Sequence, residues 1–334
     1  MITAPGALSA AQLQRFAADG YLVVDGVLDP PRDLAPVLEE YDDVLDRIAR
    51  RLRAAGEIAG TYDDLPFNAR LIRIMEETGR EFGQHFDITI GGDVNAPDPY
   101  HAGPAVFRLL TTPRLLDVVE SVVGPEIFSS PVQHTRMKPP DVLVPATARS
   151  IVSKTPWHQD LGVVMPDADE SNILTVWIPA NEATVANGCL LVVPRSHDGG
   201  LVDHCPRMEN GRKGLAIPNH LIDLEHAVPV PMSAGSVLLL TQRTMHASLA
   251  NTTPDEVRIS FDLRYLPVGQ PDGSSQTDRG FVARSAAHPA SALDEPAVWQ
   301  RKLHDAWARQ VARSGAPASN AATNRWRADA PACA

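Results

Sequence analysis

Two residues apart in Pro156-Trp-His-Gln-Asp-Leu161, His158 and Asp160 pair an imidazole with a carboxylate. In a strand, side chains i and i+2 point to the same face, so these two can grip one ion together. An isolated H-x-D pair is more often a surface hydrogen bond, so a third ligand decides the reading. That ligand should follow several strands later and sit at a strand end. Among the eleven histidines, His246 fits, because Val237 to Leu240 would form a buried strand that carries the chain to it. Two histidines and one carboxylate on one face leave the opposite positions open, an arrangement that suits non-haem Fe(II) oxygenases.

Twelve residues after His246, Arg258 enters the run Val257-Arg-Ile-Ser-Phe-Asp-Leu-Arg-Tyr265. A buried arginine near a ferrous site can bind a carboxylate bidentately through its planar fork. Arg258, Ser260, Asp262 and Arg264 share strand parity, so Arg264 points inward as well and is a rival anchor or a substrate contact.

These groups need strands behind them. From about Ile127 to Tyr265 the chain offers short β-type runs, including Ile173–Ile178, Cys189–Val193, Ser236–Thr241 and Val257–Tyr265, punctuated by Pro, Gly and Asn. Such a pattern predicts a sandwich or barrel. Ahead of it, Ser9 and Gln12 form a capping-box signature and Gly20 a stop, followed by a short strand over Tyr21–Val24. A long helix is predicted over about Asp33–Ala55, with Leu34, Val37, Leu38, Tyr41, Val44, Leu45 and Ile48 on one stripe. Residues 64–123 read as mainly helical, interrupted by the loop Gly91–Pro99. One more helix is predicted over about Ala297–Val311, before an Ala, Pro, Asn and Ser-rich tail of disordered-type composition.

Composition narrows the partners. With 30 basic and 41 acidic residues the net charge is −11, and the densest basic cluster, Arg50, Arg51 and Arg53, reads as a solvated helix face. This balance argues against nucleic acid, which needs a basic stripe, as a partner. No apolar run approaches the roughly 18 residues of a membrane span, and the N-terminus lacks the charged and apolar regions of a secretory signal. Cys189, Cys205 and Cys333 are too few and scattered for a disulfide framework or thiolate zinc site, so a reducing cytoplasm is expected.

Motif text beyond the ligands runs in order along residues 8–266: Leu8-Ser9-x-x-Gln12-x-x-x-Phe16 with Gly20-Tyr21, Lys138-Pro-Pro140, Pro156-Trp-His-Gln-Asp160, Trp177-Ile-Pro-Ala180, Asn187-Gly-Cys-Leu190, Pro194-Arg-Ser-His197, Gly235-Ser-Val237 and His246-Ala-Ser248. With H-x-D, the later His and the Arg about a dozen residues on, the chain resembles the iron- and 2-oxoglutarate-dependent oxygenases, and more narrowly the phytanoyl-CoA dioxygenase family. The resemblance implies a mainly β fold with helical additions around a double-stranded β-helix (jelly roll, cupin-like) core. It further implies that His158, Asp160 and His246 bind Fe(II), and that Arg258 rather than Arg264 binds the distal carboxylate of 2-oxoglutarate. Ser248 would support that carboxylate and Trp177 would pack beside the co-substrate. Gln133 and Lys138 are further candidates for touching co-substrate or substrate. His197 matches a family position of structural character, and His134 could face the cavity.

The implied organisation is one catalytic domain over residues 1–267, with N-terminal helices and a helical insert over about 33–123. An extension over 268–334 carries one helix and the tail. The implied reaction consumes 2-oxoglutarate and O2 and releases succinate and CO2, while a C–H bond of a small-molecule metabolite is hydroxylated. Desaturation, epoxidation and ring rearrangement are open to the same oxidant. Related halogenases carry a small residue in place of Asp160, so its carboxylate argues against halogenation. The segment from Phe82–Asp87 to Tyr100–His101, and the stretch Met208–Gly214 with Pro218–His220, would form the walls or lid of a pocket. A monomer or homodimer is expected. A non-catalytic metal-binding jelly-roll protein and a cupin-type isomerase are the alternatives, and Arg258 is the residue that separates them from an oxygenase.

Overall fold

The computed structural model describes residues 6–90, 93–145, 152–209, 212–313 and 325–333. The opening segment folds as its end signals dictate. Ser9 accepts from the Gln12 backbone while the Gln12 side chain accepts from the Ser9 backbone, so two unpaired donors at the start of α1 (Ala10–Asp19) are satisfied reciprocally. Gly20, left-handed at φ 78°, ends the helix and turns the chain into β1 (Tyr21–Val24).

A helical layer follows, made of α2 (Ala35–Ala54), α3 (Phe67–Thr78), α4 (Pro104–Leu110) and α5 (Pro113–Val123). The stripe expected on α2 is buried: Leu34, Val37, Tyr41, Val44, Leu45 and Ile48 are each no more than 1% exposed, and Leu38 is partly buried. Each side chain of this size contributes about 1.5–3 kcal/mol on burial, so packing rather than intrinsic propensity holds α2 in place.

The strands are β2 (Glu126–Ser129), β3 (His134–Lys138), β4 (Leu174–Pro179), β5 (Leu190–Val192), β6 (Cys205–Glu209), β7 (Arg212–Ala216), β8 (Val228–Val230), β9 (Val237–Thr241), β10 (His246–Ser248), β11 (Arg258–Pro267) and β12 (Phe281–Ser285). The larger sheet runs β1-β9-β4-β11-β2-β12, with β3 also paired to β11. The smaller one runs β10-β5-β8, and β6-β7 form a separate hairpin. All these pairings are antiparallel. The protein is therefore mainly antiparallel sheet with helices.

Period-2 alternation along β11 gives the large sheet two chemically different faces. Ile259, Phe261, Leu263 and Tyr265 join the core shared with α2, α4 and α5. Arg258, Ser260, Asp262 and Arg264 take the opposite face. On that side Trp177, Leu238 and Leu240 pack with Leu190 and Val192 of the smaller sheet, and the cavity lies between the two sheets.

Two expectations are corrected here. Cys205 and Cys333, 128 residues apart, are joined in a disulfide, so cysteine usage no longer points to a reducing compartment. Residues 208–220 are not an irregular loop throughout, because β6 and β7 form a hairpin there, with Asn210 and Gly211 outside the described residues. The extension after Pro267 carries its expected helix, α6 (Pro296–Ala312), which buries Trp299 against Phe107 and Phe281, and also a strand, β12, which pairs with β2. Within the tail, residues 314–324 lie outside the described residues, as do Gly91 and Gly92 of the loop. No helix among the described residues is long and apolar enough to cross a membrane.

Candidate metal centre

The chain reaches His158 and Asp160 through less strand than the alternation suggested. His158 makes an isolated antiparallel bridge with His246, each backbone N–H donating to the other's carbonyl at 3.0 Å. Asp160 already opens a 3-10 turn, Asp160–Val163. The i, i+2 logic survives because Gln159 between them is extended, at φ −112° and ψ 139°. Its side chain points away from the ligands and is fully engaged there. Nε2 donates to the Gly200 and Arg243 carbonyls at 2.7 and 2.6 Å, and Oε1 accepts from the Val202 amide at 2.9 Å.

One potential ligand atom from each of His158, Asp160 and His246 lies within 4.8 Å of the others, and all three residues are buried. His158 Nε2 stands 3.7 Å and His246 Nε2 3.9 Å from Asp160 Oδ1. Each imidazole is oriented by its other nitrogen: Nδ1 of His158 donates to the Pro156 carbonyl at 2.9 Å and Nδ1 of His246 to that of Thr244 at 3.0 Å. With the protons fixed at Nδ1, both Nε2 lone pairs are free for an ion. Burial first, and then the His246 ring, push the His158 pKa down to about 3, which keeps it in the neutral, ligating form. Burial alone would raise the Asp160 pKa, but Arg264, His246 and His158 outweigh it and hold the carboxyl well below its usual range. Thr175 donates to Asp160 Oδ2, and Arg264 Nη2 donates to Oδ1. The second Arg264 nitrogen, Nη1, donates to the Val132 carbonyl at 2.9 Å.

Arg264 also leaves Nε without a partner among the described residues, but both its Nη atoms are paired, and Arg258 differs in leaving Nη1 unpaired as well. It is fully buried, yet its Nε and Nη1 have no hydrogen-bond partner among the described residues. Its guanidinium lies 5.3 Å from the ring centre of Trp177, whose Nε1 is also unpaired. Burial, then Arg136, lower the Arg258 pKa to about 9. Ser248 and Lys138 stand at the same end: Lys138 Nζ donates to Ser248 Oγ and to the Leu249 carbonyl, both at 2.6 Å. Burial, then Arg258 and Arg136, bring the Lys138 pKa down to about 6. A buried corner whose guanidinium is under-satisfied fits a carboxylate, since an unpaired buried donor costs about 1–3 kcal/mol until something accepts from it.

The cavity that joins the two ends is lined by His158, His246, Thr175, Trp177, Ser248 and Arg258, with Arg136 and Asp262 also exposed to it. Arg136 Nη2 donates to Asp262 at 2.8 Å. Lys138 meets the cavity through Ser248. Gln133 is buried, its carbonyl accepts from Thr89 Oγ1, and its Oε1 is unpaired. His134 Nδ1 bonds Asp87 at 2.9 Å. His197 sits under Gly20, where any Cβ would overlap its ring, and bonds the Ala17 carbonyl at 3.1 Å. Thr175 was missed from the sequence although strand parity with Trp177 could have found it.

Two imidazoles and one carboxylate on one face, open on the other side and sharing a cavity with an unpaired buried arginine, describe a non-haem metal oxygenase. The family model of phytanoyl-CoA dioxygenase (PhyH) matches residues 16–260. A probable phytanoyl-CoA dioxygenase of Caenorhabditis elegans is 31% identical over 252 residues, which cover 74% of this chain and 72% of that one. The peroxisomal phytanoyl-CoA dioxygenase of Bos taurus is 25% identical over 207 residues, 61% of this chain and 52% of that one. Among solved structures, the apo form of the non-heme monooxygenase ThoJ superposes with a TM-score of 0.56 at 19% identity, covering 90% of this chain and 96% of that one. The chain belongs to the phytanoyl-CoA dioxygenase family, and it is by that membership a 2-oxoglutarate-dependent enzyme.

Proposed function

We propose that the protein is an Fe(II)- and 2-oxoglutarate-dependent oxygenase that hydroxylates an unactivated C–H bond of a small molecule, releasing succinate and CO2. Its two facing sheets are read as a double-stranded β-helix, with the catalytic unit over residues 1–267 and the later segment packed onto it. The observation that carries this reading is Arg258, whose Nε and Nη1 have no partner among the described residues and which is buried in the same cavity as the His158 and His246 rings. A non-catalytic metal protein or a cupin-type isomerase has no use for that group.

When bound, iron would supply the oxidative chemistry, coupled to decarboxylation of the co-substrate. The chain's own work is placement. His158, Asp160 and His246 hold the metal, Arg258 receives the distal carboxylate bidentately with Ser248 and Lys138 beside it, and Trp177 packs along the co-substrate. Leu190, Leu240 and Ala247 keep that part of the cavity apolar, while Arg136 and Asp262 offer polar contacts to the substrate. A carboxylate at Asp160 leaves no vacancy for a halide, so oxygen transfer is preferred over halogenation. The test is succinate formation from 2-oxoglutarate in air with ferrous iron. Turnover is expected from the wild type and not from His246→Ala, and equal turnover in both would overturn the proposal.

A further inference from the structure

We propose that the C-terminal segment carrying Arg325, Trp326 and Cys333 is a clasp that positions the turn bearing Asp160, locked by the Cys205–Cys333 disulfide. The inference rests on the metal-site reading only for its functional consequence. Trp326 and His204 are positioning residues, acting through Gln159 and Gly162 rather than touching the reacting atoms.

The contacts form a continuous path from the disulfide to the ligands. Cys205 is bonded to Cys333 and adjoins His204 in sequence. His204 Nδ1 donates to the Val202 carbonyl at 2.9 Å, which leaves Nε2 to accept from the backbone amide of Gln159 at 2.9 Å. Gln159 is the residue between His158 and Asp160. The His204 ring approaches so closely that a Cβ on Gly162 would overlap it. Trp326 stacks on that ring, centroids 5.1 Å apart and planes at 26°, and its Nε1 donates to the Gly162 carbonyl at 2.7 Å. Arg325 donates to the Leu161 carbonyl at 3.2 Å and pairs with Asp169 through both nitrogens at 2.7 and 2.8 Å.

The carbonyls of Leu161 and Gly162 end a single 3-10 turn, where acceptors lack partners within the turn itself. The clasp supplies those partners. Residues 326–330 lie between 3-10 residues at Arg325 and Pro331–Cys333 and form no helix or strand, so docking must offset their ordering entropy with these contacts. A covalent link makes docking intramolecular and raises its effective concentration. Reduction removes that advantage and frees the back of the ligand turn.

The redox step balances by thiol–disulfide exchange. One cysteine thiolate displaces a glutathione thiol from glutathione disulfide, and the second cysteine displaces the other. Two protein thiols are oxidised and two glutathione thiols formed, with two electrons and two protons transferred.

The test uses the full chain in three forms: as purified, reduced with dithiothreitol and desalted anaerobically, and Cys333→Ser. Denaturing alkylation and intact mass should show one adduct on the oxidised protein and three after reduction, since the chain has three cysteines. Hydrogen exchange at the Gln159 and Gly162 amides of the metal-free protein is expected to quicken about tenfold on reduction or in Cys333→Ser. Co(II) affinity in saturating 2-oxoglutarate should fall about tenfold or more, the usual effect of losing a partner behind a metal ligand. Trp326→Ala should reproduce both changes with the disulfide intact, and Trp326→Phe, which keeps the stack but loses the donor, should recover part of them. Three adducts on unreduced protein, or exchange and affinity within twofold across the three forms, would overturn the clasp. If the wild type binds no Co(II), the metal-site reading fails, and the exchange data still decide the clasp.

Discussion

Arg264 and Asp160 form a buried ion pair in which Nη2 of the guanidinium donates to Oδ1 of the carboxylate that completes the metal face. Arg258 stands six residues earlier on the same face of the same strand and leaves two nitrogens unpaired. One arginine neutralises the buried carboxylate, and the other is the group proposed to bind the co-substrate.

Removing Arg264 leaves a buried carboxylate without its cation, which costs about 3–5 kcal/mol in comparable sites. Arg264→Met is therefore expected to destabilise the metal-free protein by about that amount. A bound divalent ion replaces the missing charge, so the rise in Tm on adding Co(II) should be larger in the variant than in the wild type. Thermal melts with and without Co(II) check this, and equal shifts would refute the pairing role.

Arg258→Met should behave in the opposite way. Two unpaired buried nitrogens are a burden on the metal-free fold, so their loss leaves stability unchanged or raises it by about 1 kcal/mol. Affinity for 2-oxoglutarate, measured by calorimetry with metal present, should fall about a hundredfold, or roughly 2.7 kcal/mol. A large loss of stability with affinity retained would make Arg258 structural.

Thr175→Val preserves shape while removing the hydroxyl that donates to Asp160 Oδ2. The expected result is a cost of about 1–3 kcal/mol in metal-free stability and about tenfold weaker metal binding. Denaturant titration and Co(II) titration read the two effects separately.

Lys138 gives a pH signature. Its pKa in the folded protein is lowered from 10.5 to about 6, so between those values the unfolded chain binds more protons than the native one. Stability from this group therefore rises with pH: the burden is full below about pH 6 and gone above about 10.5. Between about pH 6.5 and 8.5 the wild type should gain about 1 kcal/mol per pH unit relative to Lys138→Met. Parallel stability curves for the two proteins would contradict the lowered pKa.

Much of this site was legible because it obeys simple periodicities. The i, i+2 spacing of His158 and Asp160, the strand leading to His246 and the parity of β11 each follow from backbone geometry. Parity alone could not separate Arg258 from Arg264, since both point inward, and only the partners across the cavity do so. Pairing of Cys205 with Cys333 was illegible because connectivity over 128 residues depends on where the tail docks. β12 escaped notice because Phe281–Ser285 is only five residues long, in a polar stretch, and its role comes from pairing with β2 rather than from its own pattern. Gln159 had no role assigned from the sequence, and its side chain anchors the back of the turn that carries Asp160.

The central claim is that His158, Asp160 and His246 hold Fe(II) while Arg258 holds 2-oxoglutarate in the same cavity. Visible absorption of the anaerobic protein after addition of Fe(II) and 2-oxoglutarate tests it most directly. A charge-transfer band is predicted for the wild type, absent in His246→Ala and reached by Arg258→Met only at about hundredfold higher 2-oxoglutarate. No band in the wild type, or the same band in His246→Ala, would contradict the account.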